Sequence, residues 1–227
     1  ASLLEGNILI LVDNSPSAMI LPTTLMAITE EANDYYFPPI TGTYLRLSRM
    51  LITLMSLLVT PLFLLFMEHP QWIPGTFSFI AIEDPIHLPL IWQFLMLELS
   101  IDGLRLAAIH TPDVLSTPLS VIAGLAIGEF SVESGWFNSE VLLYMAFVTI
   151  ANYSQINMEL NYALKFMRII LLLLTDWFGL IGFLFGLLGI FFSLLTCRTF
   201  SGKGYLYPLI PFDWKLLKRH LFRMKLK

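Results

Sequence analysis

The sequence predicts an all-α polytopic membrane protein with four to six transmembrane or re-entrant helices, a short N-terminal β-hairpin and a C-terminal interfacial helix. The first observation is composition. The 227 residues are 56% hydrophobic and only 13% charged, whereas soluble domains carry about 25% charged residues. The second is three uncharged runs of 18, 18 and 21 residues, at 50–67, 141–158 and 177–197, because about 20 apolar residues span a bilayer as a helix. These observations exclude a disordered chain, a nucleic-acid binder and an ordinary soluble enzyme.

The third observation is a division of charge that the net value of −4 conceals. Residues 1–197 contain five Lys/Arg against sixteen Asp/Glu, whereas 198–227 contain eight against one. We therefore expect three regions: the end of a soluble or juxtamembrane region at 1–40, a helical membrane domain at 41–197, and a basic cytoplasmic tail at 198–227. Because the chain begins at Ala1 in the approach to a strand, we expect it to be part of a longer protein.

A β-hairpin is predicted within the first region. An apolar run at 8–12 is followed by the sequence DNSP at 13–16, a strong turn signal, and a second apolar run covers 18–21.

The predicted spans follow from the positions of the charges. The first four cover 49–67, 89–109, 117–132 and 139–155. Arg46 and Arg49 precede the first span, and the positive-inside rule places them in the cytoplasm. By the same rule Lys165 and Arg168 are expected to face the cytoplasm, as are Lys218 and Arg219 of the basic tail, so both ends of this segment are predicted to be cytoplasmic.

The stretch 169–197 is too long for one straight span. As a single helix it would measure roughly 43 Å, against a hydrocarbon core of roughly 30 Å. A cytoplasmic tail requires an even number of crossings between 168 and 198. Two spans broken near 176–179, with the first starting near Asn157, satisfy this requirement, and so does a re-entrant hairpin.

The tail contains a predicted amphipathic helix after the possible cap Asp213. Trp214, Leu217, Leu221 and Met224 fall on one helical face, and most other residues are basic. Such a helix is suited to lie on anionic lipid. The alternative is a stop signal that only fixes topology.

A polar stripe is predicted in the second span. Glu98, Asp102 and Arg105 are spaced so that all three share one helical face. Charges inside a membrane are costly and persist where they pair or line a polar path. The stripe is interpreted as facing a pore or a subunit junction; the alternative is an internal Asp102–Arg105 pair with Glu98 bonded to a neighbouring helix.

Glycines form two stripes in the later spans. Gly124 and Gly128 are four residues apart, and Gly182 and Gly186 repeat that spacing. Small residues let membrane helices approach closely. Helix packing is the favoured interpretation, and a hinge or gate is the alternative.

Signatures of catalysis and metal binding are missing from the sequence. There is no GxSxG, HExxH, Walker or GxGxxG pattern. The four histidines lack metal-ligand spacing, and Cys197 is the single cysteine. We therefore expect a protein that is not an enzyme and uses no cofactor or metal.

The order of several motifs resembles the membrane half of the GerA-type spore germination A subunits of endospore-forming bacteria. They are the LLEG at 3–6 with the hairpin, the DYY at 34–36 with the two arginines, the charged stripe followed by His110 and Pro112, the glycine pair, and the region around 200–208. The stretches DNSPSAMILPTTL, AAIHTP and NSEVLLYMA are closest to a sporulation branch of this family.

The resemblance implies a multi-pass subunit of the spore inner membrane that promotes or amplifies germination. Family A subunits are thought to assemble as rings, by resemblance pentamers, that form an ion-conducting channel with other membrane germination proteins. Two alternatives stay open: a germinant-receptor A subunit that acts with ligand-binding partners, and a non-conducting membrane scaffold. Nucleic acid is not an expected partner.

Overall fold

The fold is taken from a computed structural model, which describes residues 8–15, 18–21, 23–31, 34, 36–82, 84–155, 157–199 and 204–222. The side chains of residues 113, 114, 116 and 219 are outside this description. The LLEG motif at 3–6, Pro16, Tyr35, Phe200 and Met224, which the sequence analysis used, also lie outside the described residues.

The predicted β-hairpin is present. β1 (Ile8–Leu11) pairs antiparallel with β2 (Ala18–Leu21), with Ile8 opposite Leu21. Asn14 has a φ of 62°, the left-handed conformation that asparagine tolerates in turns, and the Asp13 carboxylate accepts a hydrogen bond from its N–H at 3.0 Å. The turn chemistry therefore lies where the sequence predicts it.

The described part of the chain is otherwise mainly helical. Its α-helices are α1 (Leu25–Thr29), α2 (Pro39–Glu68), α3 (Leu90–His110), α4 (Asp113–Ala123), α5 (Phe130–Glu133), α6 (Ser139–Tyr153), α7 (Met158–Thr196) and α8 (Trp214–Leu221). Two 3₁₀ segments cover Pro70–Trp72 and Gly75–Ile80, and a π-helical segment, Gly124–Glu129, joins α4 to α5.

Among the described helices, two are long and apolar enough to cross a membrane, namely α2 and α7. The other predicted spans are helical but fall short of these criteria for physical reasons. α3 carries three charged residues, α6 has 15 residues, and the stretch 113–133 is divided by the π-helical segment.

α7 is broken at Gly179, within the stretch 176–179 where a break was predicted. The backbone there has φ 57° and ψ −136°, a conformation open to glycine. A Cβ built on Gly182 would lie 1.8 Å from the carbonyl oxygen of Leu174, eight residues earlier, so the helix folds back on itself at the break. We call the two arms on either side of Gly179 the α7 hairpin.

The helix starts after the cap Asn157, whose side chain accepts from the N–H of Glu159 at 2.8 Å, and this start too was predicted.

The chain divides into two compact units that both use segments of α2 and α7. One contains Ala1–Leu54, Ser154–Ala163 and Leu187–Lys227, and the other contains Met55–Tyr153 and Leu164–Gly186. The second unit contains an apolar core cluster. Its buried residues are Phe63, Leu64, Ile91, Phe94, Leu97, Phe137, Val141, Met145 and Leu172.

Candidate functional site

Four buried or half-buried charged side chains meet inside the second unit. α3 contributes Glu98 and Asp102, four residues apart, and α7 contributes Lys165 and Arg168, three residues apart. Residues at these spacings share a helix face, so the two acids of one helix meet the two bases of the other. We call these four residues the charge cluster.

Arg168 is the innermost member of the charge cluster and is 0% exposed. Its Nε donates to Oε1 of Glu98 at 2.7 Å, and its Nη2 lies 2.5 Å from the same oxygen. Its Nη1 donates to the backbone oxygen of Ser56 at 2.8 Å. One guanidinium therefore joins α7 to both α2 and α3.

Lys165 forms the outer side of the charge cluster. Its Nζ lies 3.4 Å from Oε2 of Glu98 and donates to the Glu98 backbone oxygen at 3.3 Å. It also pairs with Oδ2 of Asp102, whose side chain is 35% exposed. The charge cluster thus has two positive and two negative charges, and Asp102 is its edge toward the surroundings.

The three residues of the predicted polar stripe all lie on α3, and their contacts differ. Glu98 and Asp102 enter the charge cluster, whereas the Arg105 guanidinium lies 5.0 Å from the centre of the Tyr153 ring, a cation–π distance. Whether the stripe faces a pore stays a prediction.

Lys165 and Arg168 are the two members of the charge cluster that the sequence did not predict there. They were expected to face the cytoplasm, but both are buried, and they compensate the charges of Glu98 and Asp102. A carboxylate that is buried in an apolar bundle needs a cation close enough to pair with it, because an unpaired buried charge is strongly destabilising. The sequence did contain a signal for this pairing. Lys165 and Arg168 are one helical turn apart, as are Glu98 and Asp102, so two bases on one helix can face two acids on another.

The glycine positions differ in their surroundings. Cβ atoms built on Gly182 and Gly186 would meet Leu174 and Leu171 of the opposite arm of the α7 hairpin. Cβ atoms built on Gly124 or Gly128 would meet nothing within 4 Å. Among the described residues nothing packs against Gly124 or Gly128, so close packing there stays a prediction.

Arg46 and Arg49 form a second polar cluster, in the first unit, around Asp34. Nη2 and Nη1 of Arg49 donate to the two carboxylate oxygens of Asp34 at 2.8 and 3.0 Å. Nε of Arg46 lies 3.5 Å from Asp34 Oδ2, and its Nη1 lies 3.5 Å from Glu30 Oε1. Arg46 Nη1 also donates to the backbone oxygen of His220 at 3.2 Å. These arginines have structural partners, and their role in fixing topology stays a prediction.

Asp34 provides a testable pH dependence. Burial would raise its pKa, but the hydrogen bond and charge of Arg49, the N–H of Glu31 and the charge of Arg46 outweigh burial and hold the pKa below 3.8. The carboxylate therefore stabilises the fold above that pH, and the contribution is lost as pH falls through the lowered pKa. We expect Asp34→Asn to lower the melting temperature at about pH 6, with the difference from wild type shrinking toward about pH 3.

Thermal melts of the two proteins across that pH range measure the effect. Asp84→Asn, at an exposed position, is the matched control and should follow wild type throughout. A difference between Asp34→Asn and wild type that stays constant with pH would contradict the assignment.

The C-terminal tail packs against its own unit through α8. Asp213 caps the helix, as predicted, and Leu217 is buried, whereas Trp214 is exposed. Lys218 is exposed, and the side chain of Arg219 lies outside the described residues. Their proposed topological role is not tested by these positions.

Within the described residues no group of three or more His, Cys, Asp or Glu side chains is arranged to hold a metal ion. The arrangement that the structure does offer is ionic: a buried, charge-balanced cluster between apolar helices, with one carboxylate at its edge.

Comparison with known proteins identifies relatives along almost the whole chain. Stage V sporulation protein AF of Bacillus subtilis (strain 168) is 37% identical over 220 residues, covering 97% of this chain and 44% of that protein. Spore germination protein GerQA of Bacillus cereus is 28% identical over 221 residues, covering 95% and 44%. The uncharacterized membrane protein YfkQ of Bacillus subtilis (strain 168) is 26% identical over 215 residues, covering 93% and 42%.

The chain therefore spans less than half the length of these relatives. No solved structure matches it. The profile of the Bacillus/Clostridium GerA spore germination protein matches residues 1–227. The resemblance drawn from the motifs is confirmed, including its closeness to the sporulation branch, and the chain belongs to the GerA family.

Proposed function

We propose that this chain is the membrane part of a spore germination protein and acts as a subunit of an oligomeric, ion-conducting channel. The names of its relatives, which refer to spore germination and sporulation, support the process. The long apolar helices α2 and α7 support the membrane location. The charge cluster is the observation that carries the proposal of conduction.

The charge cluster is unusual for an apolar bundle. Each charge at the centre of a membrane helix costs roughly 2.5 to 3.5 kcal/mol on insertion scales, so ionisable groups there mark functional sites by default. Glu98 and Arg168 hold α3 against α7, while the half-exposed Asp102 gives the cluster one acidic edge. In the proposed channel this edge borders the path of a cation.

The proposed topology uses the predicted spans together with the α7 hairpin. α2, α3, the stretch 113–133, α6 and the two arms of the α7 hairpin cross or enter the spore inner membrane, with both ends of the segment in the cytoplasm. Homo-oligomers, pentamers by family resemblance, form the channel with other membrane germination proteins.

Asp102→Asn tests conduction. The substitution removes the acidic edge while Lys165 keeps Glu98 as a partner, so we expect the protein to assemble normally and cation efflux from germinating spores to slow severalfold. Efflux and membrane abundance are measured together. Glu133→Gln, an exposed position outside the charge cluster, is the control that should leave efflux unchanged. Unchanged efflux in Asp102→Asn, or loss of the protein, would count against a pore-facing edge.

A non-conducting scaffold is the second candidate function, and one observation favours it. Glu98 and Arg168 neutralise each other inside the chain, as expected of a group that only holds helices together. Full-length protein in liposomes that passes no ions under germination conditions would support the scaffold. A receptor A subunit would be indicated by neighbouring genes for ligand-binding and lipoprotein companions.

A further inference from the structure

We propose that the C-terminal tail docks on a membrane surface of anionic phospholipid through Phe212, Trp214, Lys215 and Lys218, which we call the aromatic–basic surface. The inference rests on the proposed membrane function and adds a defined lipid contact to it. It also changes which residues face lipid, because Trp214 of the predicted apolar face is exposed whereas Leu217 of the same face is buried.

The inner side of α8 is already occupied by the chain itself. Leu217 is 6% exposed. Nδ1 of His220 lies 2.5 Å from Oε1 of Glu30, and the His220 backbone oxygen accepts a hydrogen bond from Arg46 at 3.2 Å. These contacts fix which side of α8 faces outward.

The outward side combines aromatic rings with lysines. Phe212 is 68% exposed and Trp214 is 58% exposed. Their rings stack with centroids 6.1 Å apart and planes 26° apart, and Lys215 and Lys218 beside them are exposed. Aromatic rings prefer the headgroup level of a bilayer, and adjacent lysines are attracted to anionic lipid.

The acid in this part of the chain does not oppose such a contact. Asp213 is the one acidic residue of 198–227, beside eight basic ones. Its Oδ1 accepts from the N–H groups of Lys215 at 3.0 Å and Leu216 at 3.3 Å, and its Oδ2 accepts from the Tyr207 hydroxyl at 3.5 Å. Its charge is therefore engaged at the start of the helix, and the aromatic–basic surface is cationic.

The hydrogen bond between Arg46 and His220 also determines how deep α8 would lie relative to the membrane surface. Arg46, which binds His220, lies four residues before the uncharged run 50–67 of α2. The headgroup level of a bilayer is expected at the point where such a run begins. The aromatic–basic surface is thereby held where anionic headgroups lie, which favours lipid over another partner.

The experiment uses the full-length protein in phosphatidylcholine vesicles with or without phosphatidylglycerol, in which the acyl chains of the lipids carry bromine atoms that quench tryptophan fluorescence. The difference between wild type and Trp214→Phe isolates the signal of Trp214. We expect that signal to be quenched when phosphatidylglycerol is present. Lys215→Gln should lower the ratio of docked to free tail about fivefold, as expected for removal of one basic residue near an anionic surface.

Arg198→Gln is the matched control, because it removes one exposed positive charge outside the aromatic–basic surface, and it should leave the quenching of Trp214 unchanged. Quenching of other tryptophans, such as the remaining four of this chain, with no quenching of Trp214 would overturn the docking while retaining the membrane location. Equal quenching with and without phosphatidylglycerol would overturn the preference for anionic lipid. Quenching of none of the tryptophans would instead contradict the proposed membrane function itself.

Discussion

Gly182→Ala is expected to prevent the α7 hairpin from closing and to destabilise the protein by about 3 kcal/mol or more. The alanine Cβ would lie 1.8 Å from the backbone oxygen of Leu174 and 2.6 Å from its carbonyl carbon. A backbone carbonyl inside a helix has no alternative rotamer, so the two arms must separate. Separation removes the packing of the second arm on the first, and the loss is measured by thermal melting in detergent and by the amount of membrane-inserted protein.

Alanine substitutions at two neighbouring glycines should have smaller or opposite effects on stability. A Cβ on Gly186 would meet the Cδ1 atom of Leu171 at 2.5 Å, the movable end of a side chain, so Gly186→Ala should cost less than Gly182→Ala. A Cβ on Gly189 would meet nothing within 4 Å, and Gly189→Ala should stabilise the helix by about 0.5 to 1 kcal/mol. Equal melting temperatures for wild type and Gly182→Ala would show that the hairpin is not closed as described.

Removal of either central member of the charge cluster is expected to cost about 3 to 5 kcal/mol of unfolding free energy, because the remaining partner stays buried with an uncompensated charge. Arg168→Met leaves Glu98 with Lys165 alone and removes the hydrogen bond from Arg168 to the Ser56 backbone oxygen. Glu98→Gln leaves two buried bases facing the single carboxylate of Asp102. Unfolding of the detergent-solubilised protein by a denaturing detergent measures both losses.

The double variant distinguishes an ion pair from two independent packing residues. With both charges removed, Lys165 and Asp102 form a balanced pair, so the double variant should lose less than the sum of the single losses, with a coupling of about 1 to 3 kcal/mol. Arg198→Gln, which removes an exposed positive charge outside the charge cluster, is the control and should change the unfolding free energy by no more than about 0.5 kcal/mol. Strictly additive losses would falsify the pairing of Arg168 with Glu98.

Local signals made much of the fold predictable. The turn at 13–16 placed the hairpin, and Asn157 and Asp213 marked the starts of α7 and α8. The length of 169–197 and the basic tail allowed a break near 176–179, which the structure has at Gly179. Each of these features is determined by a few residues near in sequence. α2 extends further than expected, because the prediction began at the charge-free run, whereas the helix starts at Pro39, a residue that favours the first turn.

The charge cluster was only half predictable. The spacing of Glu98 and Asp102 identified them as a shared face of α3, but their partners lie 63 to 70 residues away in sequence. The positive-inside rule describes basic residues in loops, and it gave the wrong environment for Lys165 and Arg168 because they are neutralised inside the bundle. Pairing between distant helices is a tertiary property that no single segment encodes.

The hydrogen bond from Arg46 to His220 joins residues 174 positions apart, and this separation has a consequence for the order of folding. During synthesis the ribosome makes His220 174 residues after Arg46, at about 5 to 20 residues per second. The contact of α8 with the start of α2 therefore forms only after the helices between them in sequence have been made. A contact that closes a loop of this length forms after the local helices. Closing the loop costs chain entropy, and this cost is offset only when the helices that make the contact have already formed.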